Sequence, residues 1–464
     1  MMRRGELVLK GNLSDEKFSR LYSLIQRGSC ESLKYLCNDV VLENFQTLMV
    51  AWILIIRTFI CTLDTGLGKT YIASAVIRWL HNAKETKNFL YVVENAGMAQ
   101  TAKKVSDLTG LRVKTCNASE LDANILSVTS TDDFDVLMIS YQAIQSYGVA
   151  CYLLENIDDF QTVIYDECQW LSELNNSNTW EISKQMRKYF RDVIMFSATP
   201  FKTNPLQLLK QVELLNPTVI GNINAYISDK CTRSLMYEIT DWYGLDRIKS
   251  DLTLWVNGFT REELGIGIKY NPFAHVCNST DFQKEVTAHE MHRIKSDDKA
   301  EALEKLKEIV SDAAFNGEQG IVYCSTNENK LLLKKELESV GLIVEIIDGS
   351  LSDKKQRAKV QNDYHDGLIN VLIINITTTL DLPSQYCVFY ELCDAGTITQ
   401  FIGRCVRGFA DSDLTVHFIL AKDTYEIDYF YNSIWKKSKY LQECLNKDGT
   451  LMKEIKKQID KEML

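Results

Sequence analysis

A strand-like run from Arg57 to Cys61 breaks into Thr62-Leu63-Asp64-Thr65-Gly66-Leu67-Gly68-Lys69-Thr70, and the chain then takes up an amphipathic helical pattern at Ile72, Val76, Trp79 and Leu80. A strand that turns on two glycines straight into a helix admits few folds. It aims backbone N–H groups into the turn, at the positive end of the helix dipole, and so makes a cradle for phosphate oxygens. Thr65, Gly66, Leu67 and Gly68 supply that cradle, Lys69 reaches the β/γ-phosphates, and Thr70 ligates Mg²⁺. The first glycine of the longer G-x-x-x-x-G-K-T pattern is replaced by Leu63, so the match is to the shorter T-G-x-G-K-T form.

From Arg57 onward, short β-branched runs alternate with helical segments. The runs are Phe89 to Val93, Leu111 to Lys114, Val136 to Ser140, Thr162 to Tyr165 and Val193 to Phe196. This alternation predicts an α/β fold with a parallel sheet covered by helices. A second alternation follows a helical stretch at Ala300, Leu303, Leu306, Ile309 and Val310, with strands expected at Ile321 to Cys324, Leu342 to Ile347, Val371 to Asn375, Tyr386 to Tyr390 and Val416 to Leu420. Five segments result: a helical accessory segment at 1–41, a nucleotide-binding α/β domain at 42–217, an inserted connecting module at 218–295, a second α/β domain at 296–424 and a helical tail at 425–464. A length of 464 residues accommodates this, at roughly 150 residues per domain.

Val163-Ile164-Tyr165-Asp166-Glu167-Cys168-Gln169 is an apolar strand that ends in two adjacent carboxylates. Downstream of a phosphate loop, one carboxylate is expected on Mg²⁺ (Asp166) and the other orients and deprotonates the attacking water (Glu167). Phe196-Ser197-Ala198-Thr199-Pro200 ends the next strand with two small hydroxyl residues able to bond to the Asp-Glu end. Gln400-Phe401-Ile402-Gly403-Arg404-Cys405-Val406-Arg407-Gly408 puts two arginines three apart on one helical face. Arginine delivered to a γ-phosphate stabilises the charge of phosphoryl transfer.

These segments together resemble the superfamily 2 helicases and translocases, from about Leu42 to Thr424. TGLGKT looks like motif I, DECQ (Asp166 to Gln169) like motif II, SAT (Ser197, Ala198, Thr199) like the coupling motif III, and Gln400 to Arg407 like motif VI. Phe45-Gln46 resembles the upstream glutamine that reads adenine, Val136 to Tyr141 a strand before a nucleic-acid-facing turn, and Gly320 to Ser325 motif IV. Ile347-Asp348-Gly349-Ser350 with Arg357 resembles the segment after it. In Thr377 to Leu382, threonine stands where motif V has glycine, with Asp381 and Leu382 in place. Ser197 to Pro217 is similar to the Swi/Snf-type translocases, and the short, acidic build resembles phage- or virus-encoded branch-migration helicases in organisation. The resemblance implies two tandem RecA-like domains, ATP and Mg²⁺ as cofactors, and Lys69, Asp166, Glu167, Gln169, Arg404 and Arg407 as catalytic residues. It implies nucleotide contacts from Gln46 and Asp381. The expected partner is DNA, duplex, forked or branched. Movement on RNA is the alternative within the class. A non-catalytic ATP-sensing scaffold is the alternative outside it, and the presence of Lys69, Asp166, Glu167 and Arg407 speaks against that.

A net charge of −10 excludes a generally basic nucleic-acid coat, so any such site is a local track. The 13 cysteines fall singly, as in a reducing compartment, and the N-terminus lacks a secretory apolar stretch. The apolar run Leu48 to Ile56 is half a membrane span. A monomeric protein of the cytoplasm, a host's if the source is viral, is expected, with no membrane partner. His289-Glu290-Met291-His292 has the wrong spacing for a zinc site, and Lys436-Lys437-Ser438-Lys439 reads as a solvated helix face.

Overall fold

A computed structural model describes residues 33, 35–171, 177–201, 204–234, 238–286, 300–347, 354–375, 382–406, 412–445 and 449–463. The chain divides into two compact units, Met1–Phe259 with Glu443–Leu445, and Thr260–Gln442 with Asn446–Leu464.

The first unit is built on strands β1 (Thr58–Cys61), β2 (Asn88–Val93), β3 (Val113–Cys116), β4 (Val136–Ser140), β5 (Phe160–Asp166) and β6 (Asp192–Phe196). A short antiparallel hairpin, β7 (Cys231–Arg233) and β8 (Ile239–Trp242), stands apart from them, and β9 (Val256–Asn257) completes a seven-stranded sheet in the order β3-β4-β2-β5-β6-β1-β9. Every pairing in that sheet is parallel. All residues of β2, β4 and β6 are buried, with no alternation along them. This is the signature of a parallel sheet with both faces covered, and it explains why these strands read as unbroken apolar runs.

The second unit holds a six-stranded sheet, also parallel throughout, in the order β10-β15-β14-β11-β13-β12. Its strands are β10 (Ile268–Cys277), β11 (Gly320–Tyr323), β12 (Val344–Ile347), β13 (Val371–Ile374), β14 (Tyr386–Phe389) and β15 (Ser412–Ala421). Tyr323, Phe389, Phe401 and Phe418 form a chain of ring contacts in its core. The helix Ala395–Cys405 starts at Asp394, whose carboxylate accepts the Thr397 N–H at 2.9 Å as an N-cap. Two α/β units with parallel sheets are thus present, as the double alternation predicts.

The stretch 218–295 is shared between the units rather than gathered in one place. Its middle supplies β9 to the first sheet and its later part supplies β10 to the second. Neither strand stands out in the sequence. Paired length in β9 is two residues, and β10 contains Pro272, which a strand accepts at a sheet edge. That edge is covered by the helix Thr450–Glu462. The Gln458 side-chain amide accepts the Ala274 N–H at 2.8 Å and donates to the Pro272 carbonyl at 2.7 Å, substituting for a neighbouring strand.

Candidate functional site: a nucleotide cradle on three strand ends

The sheet order places β5, β6 and β1 side by side. Phe196 pairs with Asp166 on one side and with Cys61 on the other, so the three carboxyl ends are level. The loops leaving them are therefore neighbours: Asp166-Glu167 after β5, Ser197 to Pro200 after β6, and Thr62 to Gly68 after β1. Open parallel sheets bind ligands at their carboxyl ends, and three of the sequence motifs are brought together there.

The loop after β1 is shaped by Gly66 and Gly68, both left-handed at φ 80° and 83°. Gly68 is the N-cap of the helix Lys69–Asn82, which aims its free N–H groups into the loop. Leu63 is fully buried, so the residue that replaces the expected glycine serves the core, and its carbonyl accepts the Lys69 ammonium at 3.4 Å. Gln46 lies against the same loop. Its amide donates to the Leu67 carbonyl at 3.0 Å and accepts the Glu43 N–H at 2.9 Å, closing the first turn of the helix Asn44–Ile56. Its Nε2 is where a side chain on Gly68 would have to go, 2.3 Å from an added Cβ. Thr65 and Thr70 are half-buried on either side of the glycines.

Glu167 has a left-handed backbone at φ 52°, a conformation that costs a non-glycine residue energy and persists only where surroundings enforce it. The enforcement is visible. The Gln169 amide donates to Glu167 Oε2 at 3.0 Å, the Ser197 hydroxyl donates to Gln169 Oε1 at 2.6 Å, and the Thr199 N–H donates to Ser197 Oγ at 3.0 Å. Ser197, Ala198 and Thr199 are all buried. Burial first, and then the adjacent Glu167 carboxylate, push Asp166 well above the ordinary carboxylate range, while Lys69 pulls it down. Such a pair is short of positive charge. The Asp166 carboxylate and Thr70 hydroxyl are hard oxygen donors of the kind Mg²⁺ takes, so these residues fit a divalent cation. Among the described residues no group of three or more His, Cys, Asp and Glu side chains could hold a metal ion. Phosphate oxygens and water would complete the shell.

Sequence reading missed two supports of this site. The chain around β9 continues as a ladder along the phosphate loop: Ile60 N–H to Trp255 O at 2.7 Å, Thr62 N–H to Asn257 O at 2.9 Å, Asp64 N–H to Phe259 O at 3.3 Å. Gly258 allows this approach, since an added Cβ would lie 2.6 Å from the Thr62 carbonyl carbon. Phe259 meets Phe45 edge-on at 6.0 Å. The second support is Tyr141, whose buried hydroxyl donates to the Asp166 carbonyl at 2.7 Å. The only signals are a glycine and a tyrosine at strand ends, too common to single out.

In the second unit, Gln400 is buried and Arg404 half-buried on the helix Ala395–Cys405. The Arg404 carbonyl accepts the Leu382 N–H at 3.2 Å, which ties Leu382 to the end of the helix Ala395–Cys405. The carbonyl end of β11 runs into Ser325 and Thr326, whose N–H groups both donate to the buried Glu391 carboxylate. Arg407, Asp381, 348–350, the Arg357 side chain and 289–292 lie outside the described residues.

Residues 46–202 match the model of the family described as type III restriction enzyme, res subunit. In structure the chain is similar to a variant of S. cerevisiae Dbp5 bound to RNA and ADP BeF3, at TM-score 0.53 and 14% identity over 98% of each chain. It is also similar to a SWI2/SNF2 ATPase core of Sulfolobus solfataricus in complex with dsDNA, at TM-score 0.43 and 14% identity, over 86% of this chain and 92% of that one. The fold is that of two tandem RecA-like α/β domains. No helix among the described residues is long and apolar enough to cross a membrane.

Proposed function

We propose that this chain is an ATP-dependent DNA helicase or translocase that couples ATP hydrolysis to movement on duplex or branched DNA, as in branch migration or fork remodelling. The observation that carries this reading is the meeting of the phosphate loop, the Asp166-Glu167 pair and the Ser197–Thr199 turn on three level strand ends. Lys69 and the loop N–H groups bind the β/γ-phosphates, and Gln46 reads the base. Thr70 and Asp166 hold Mg²⁺, which when bound neutralises charge developing on the phosphate oxygens. Glu167 orients the attacking water and takes its proton as the bond between the γ-phosphorus and ADP breaks. The Gln169–Ser197–Thr199 chain carries the resulting shift to the neighbouring strand end. Arg404 and Arg407 are assigned to the transition-state charge, with Asp381 and Gln400 supporting nucleotide contact and coupling.

Three features favour DNA. The family model matched by residues 46–202 is named for a restriction-enzyme subunit, the segment after Thr199 is similar to duplex-tracking translocases, and Val92 to Gly97 lacks the P-T-R-E-L-A-like string of RNA-directed DEAD-box proteins. The test is ATP turnover with single-stranded, duplex and forked DNA and single-stranded RNA at matched salt. Duplex or forked DNA is expected to stimulate most, with an affinity that falls with salt at a log–log slope of only about 3 to 6, since an acidic protein makes few phosphate contacts. Stimulation by RNA well above every DNA would move the track to RNA, and a protein that binds ATP without turnover would be a scaffold.

A further inference from the structure

The helix Leu206–Leu215 buries Leu208, Leu209, Val212, Leu214 and Leu215, and Gln211 is buried among them with no exposed surface. An amide in such a place destabilises the fold unless its polar atoms are satisfied. Both ends of this one are. Gln211 Oε1 accepts the Cys168 thiol at 3.1 Å, and Gln211 Nε2 donates to the Pro200 carbonyl at 2.5 Å. Cys168 directly follows Glu167, and Pro200 directly follows Thr199. The Cys168 thiol is the donor of its bond to Gln211. The Pro200 carbonyl can only accept. One side chain that accepts at one end and donates at the other is what this gap requires, and a primary amide is that group.

We propose that Gln211 is a positioning residue for ATP hydrolysis, clamping the turn that carries Glu167 to the turn that carries Ser197 and Thr199. This rests on the proposed reading of the site. The Gln169–Ser197 bond joins the same two turns at a second point. A single bridge sets a distance and lets the turns pivot about it; two bridges also set their mutual rotation. Glu167 needs that restraint, because its left-handed backbone relaxes once its surroundings allow it. Gln211 has no exposed surface, so its effect belongs on the chemical step rather than on nucleotide binding.

The test is Gln211→Met, which keeps length and volume and removes both hydrogen bonds. Misplacing a catalytic group by a fraction of an ångström to an ångström lowers rate steeply, so kcat per nucleotide-binding site should fall about tenfold or more, with ATP affinity within about twofold of wild type. A residue that only fills the core would lower thermal stability and the fraction of binding-competent protein, leaving turnover per competent site unchanged; that outcome overturns the proposal. If Gln211→Met does not fold, Gln211→Glu decides the matter. Its protonated carboxyl reproduces the amide's acceptor and donor and its ionised form does not, so turnover relative to wild type should recover as pH falls through the titration of the new carboxyl, located from the pH dependence of the variant's stability. A ratio constant with pH overturns the proposal. Wild-type protein is assayed in parallel: absence of turnover there refutes the ATPase reading itself, whereas normal wild-type turnover with an unaffected Gln211→Met refutes only the clamp.

Discussion

Substituting Gly68 by alanine tests how tightly the nucleotide cradle is tied to the helix that precedes it. Gly68 sits at φ 83°, and a side chain held in the left-handed region costs roughly 1–2 kcal/mol. The added Cβ also falls 2.3 Å from Gln46 Nε2, so the Gln46 amide must leave and the bond to the Leu67 carbonyl is lost. Depriving a buried carbonyl of its donor costs about 1–3 kcal/mol. The sum is roughly 2–5 kcal/mol against the loop shape proposed to bind phosphate. A loop can relax without unfolding the domain, so the cost appears as a smaller binding-competent fraction, and apparent affinity falls by about 30-fold to several thousand-fold. Isothermal titration with ADP measures this, and a thermal melt should show little change. A double-mutant cycle separates the two causes: in a Gln46→Ala background the contact part is already gone, and Gly68→Ala should cost only about 5- to 30-fold more. Gly68→Ala protein that binds ADP within about threefold of wild type, or a cycle without coupling, would refute the argument.

Lys69→Ala and Glu167→Gln are both expected to abolish turnover, but only the first should lose nucleotide affinity, because the role proposed for Glu167 is on water rather than on phosphate; binding and turnover measured side by side separate them. Arg407→Ala should lower turnover by about 10³-fold or more with nucleotide affinity held within an order of magnitude, and Arg404→Ala should show a binding defect as well. In the second unit, the His275 and His417 rings stack and share a hydrogen bond of 3.0 Å. Burial, then Lys305, lowers His275 to about 4, and burial, then His275 itself, lowers His417 to about 3. A lowered folded pKa means the unfolded chain takes up these protons first, so stability is full above about pH 6.5 and declines as pH falls toward 4. Urea midpoints between pH 7 and 4.5 should show this decline, and His417→Gln should flatten it; an unchanged slope would refute the assignment.

Local strings carried most of the candidate site. The chemistry of Thr62 to Thr70, Asp166 to Gln169 and Ser197 to Thr199 lies in residue types a few positions apart, and parallel strands buried on both faces announce themselves as apolar runs. Boundaries were legible to within a few residues for the same reason. Val136–Ser140 coincides with its run, while β15 extends the run at Val416 to Leu420 back to Ser412 because its pairing with β10 stabilises polar residues the pattern leaves out.

Amino-acid order by itself determined which groups the proposed site offers to phosphate, metal and water, because a strand–glycine turn–helix and a strand end with two carboxylates are each made within one short stretch. Tertiary structure alone decided what holds those groups still. The ladder of Trp255, Asn257 and Phe259 along the phosphate loop joins residues about 195 apart in the chain, and nothing in two paired residues of β9 foretells it. Gln211 reads as one polar residue in an apolar helix, and its meaning appears only when β5 and β6 pack it between Cys168 and Pro200. Strand pairing and buried hydrogen bonding join residues that are distant in the chain, and periodicity records only which side of an element faces the core, not what it meets there.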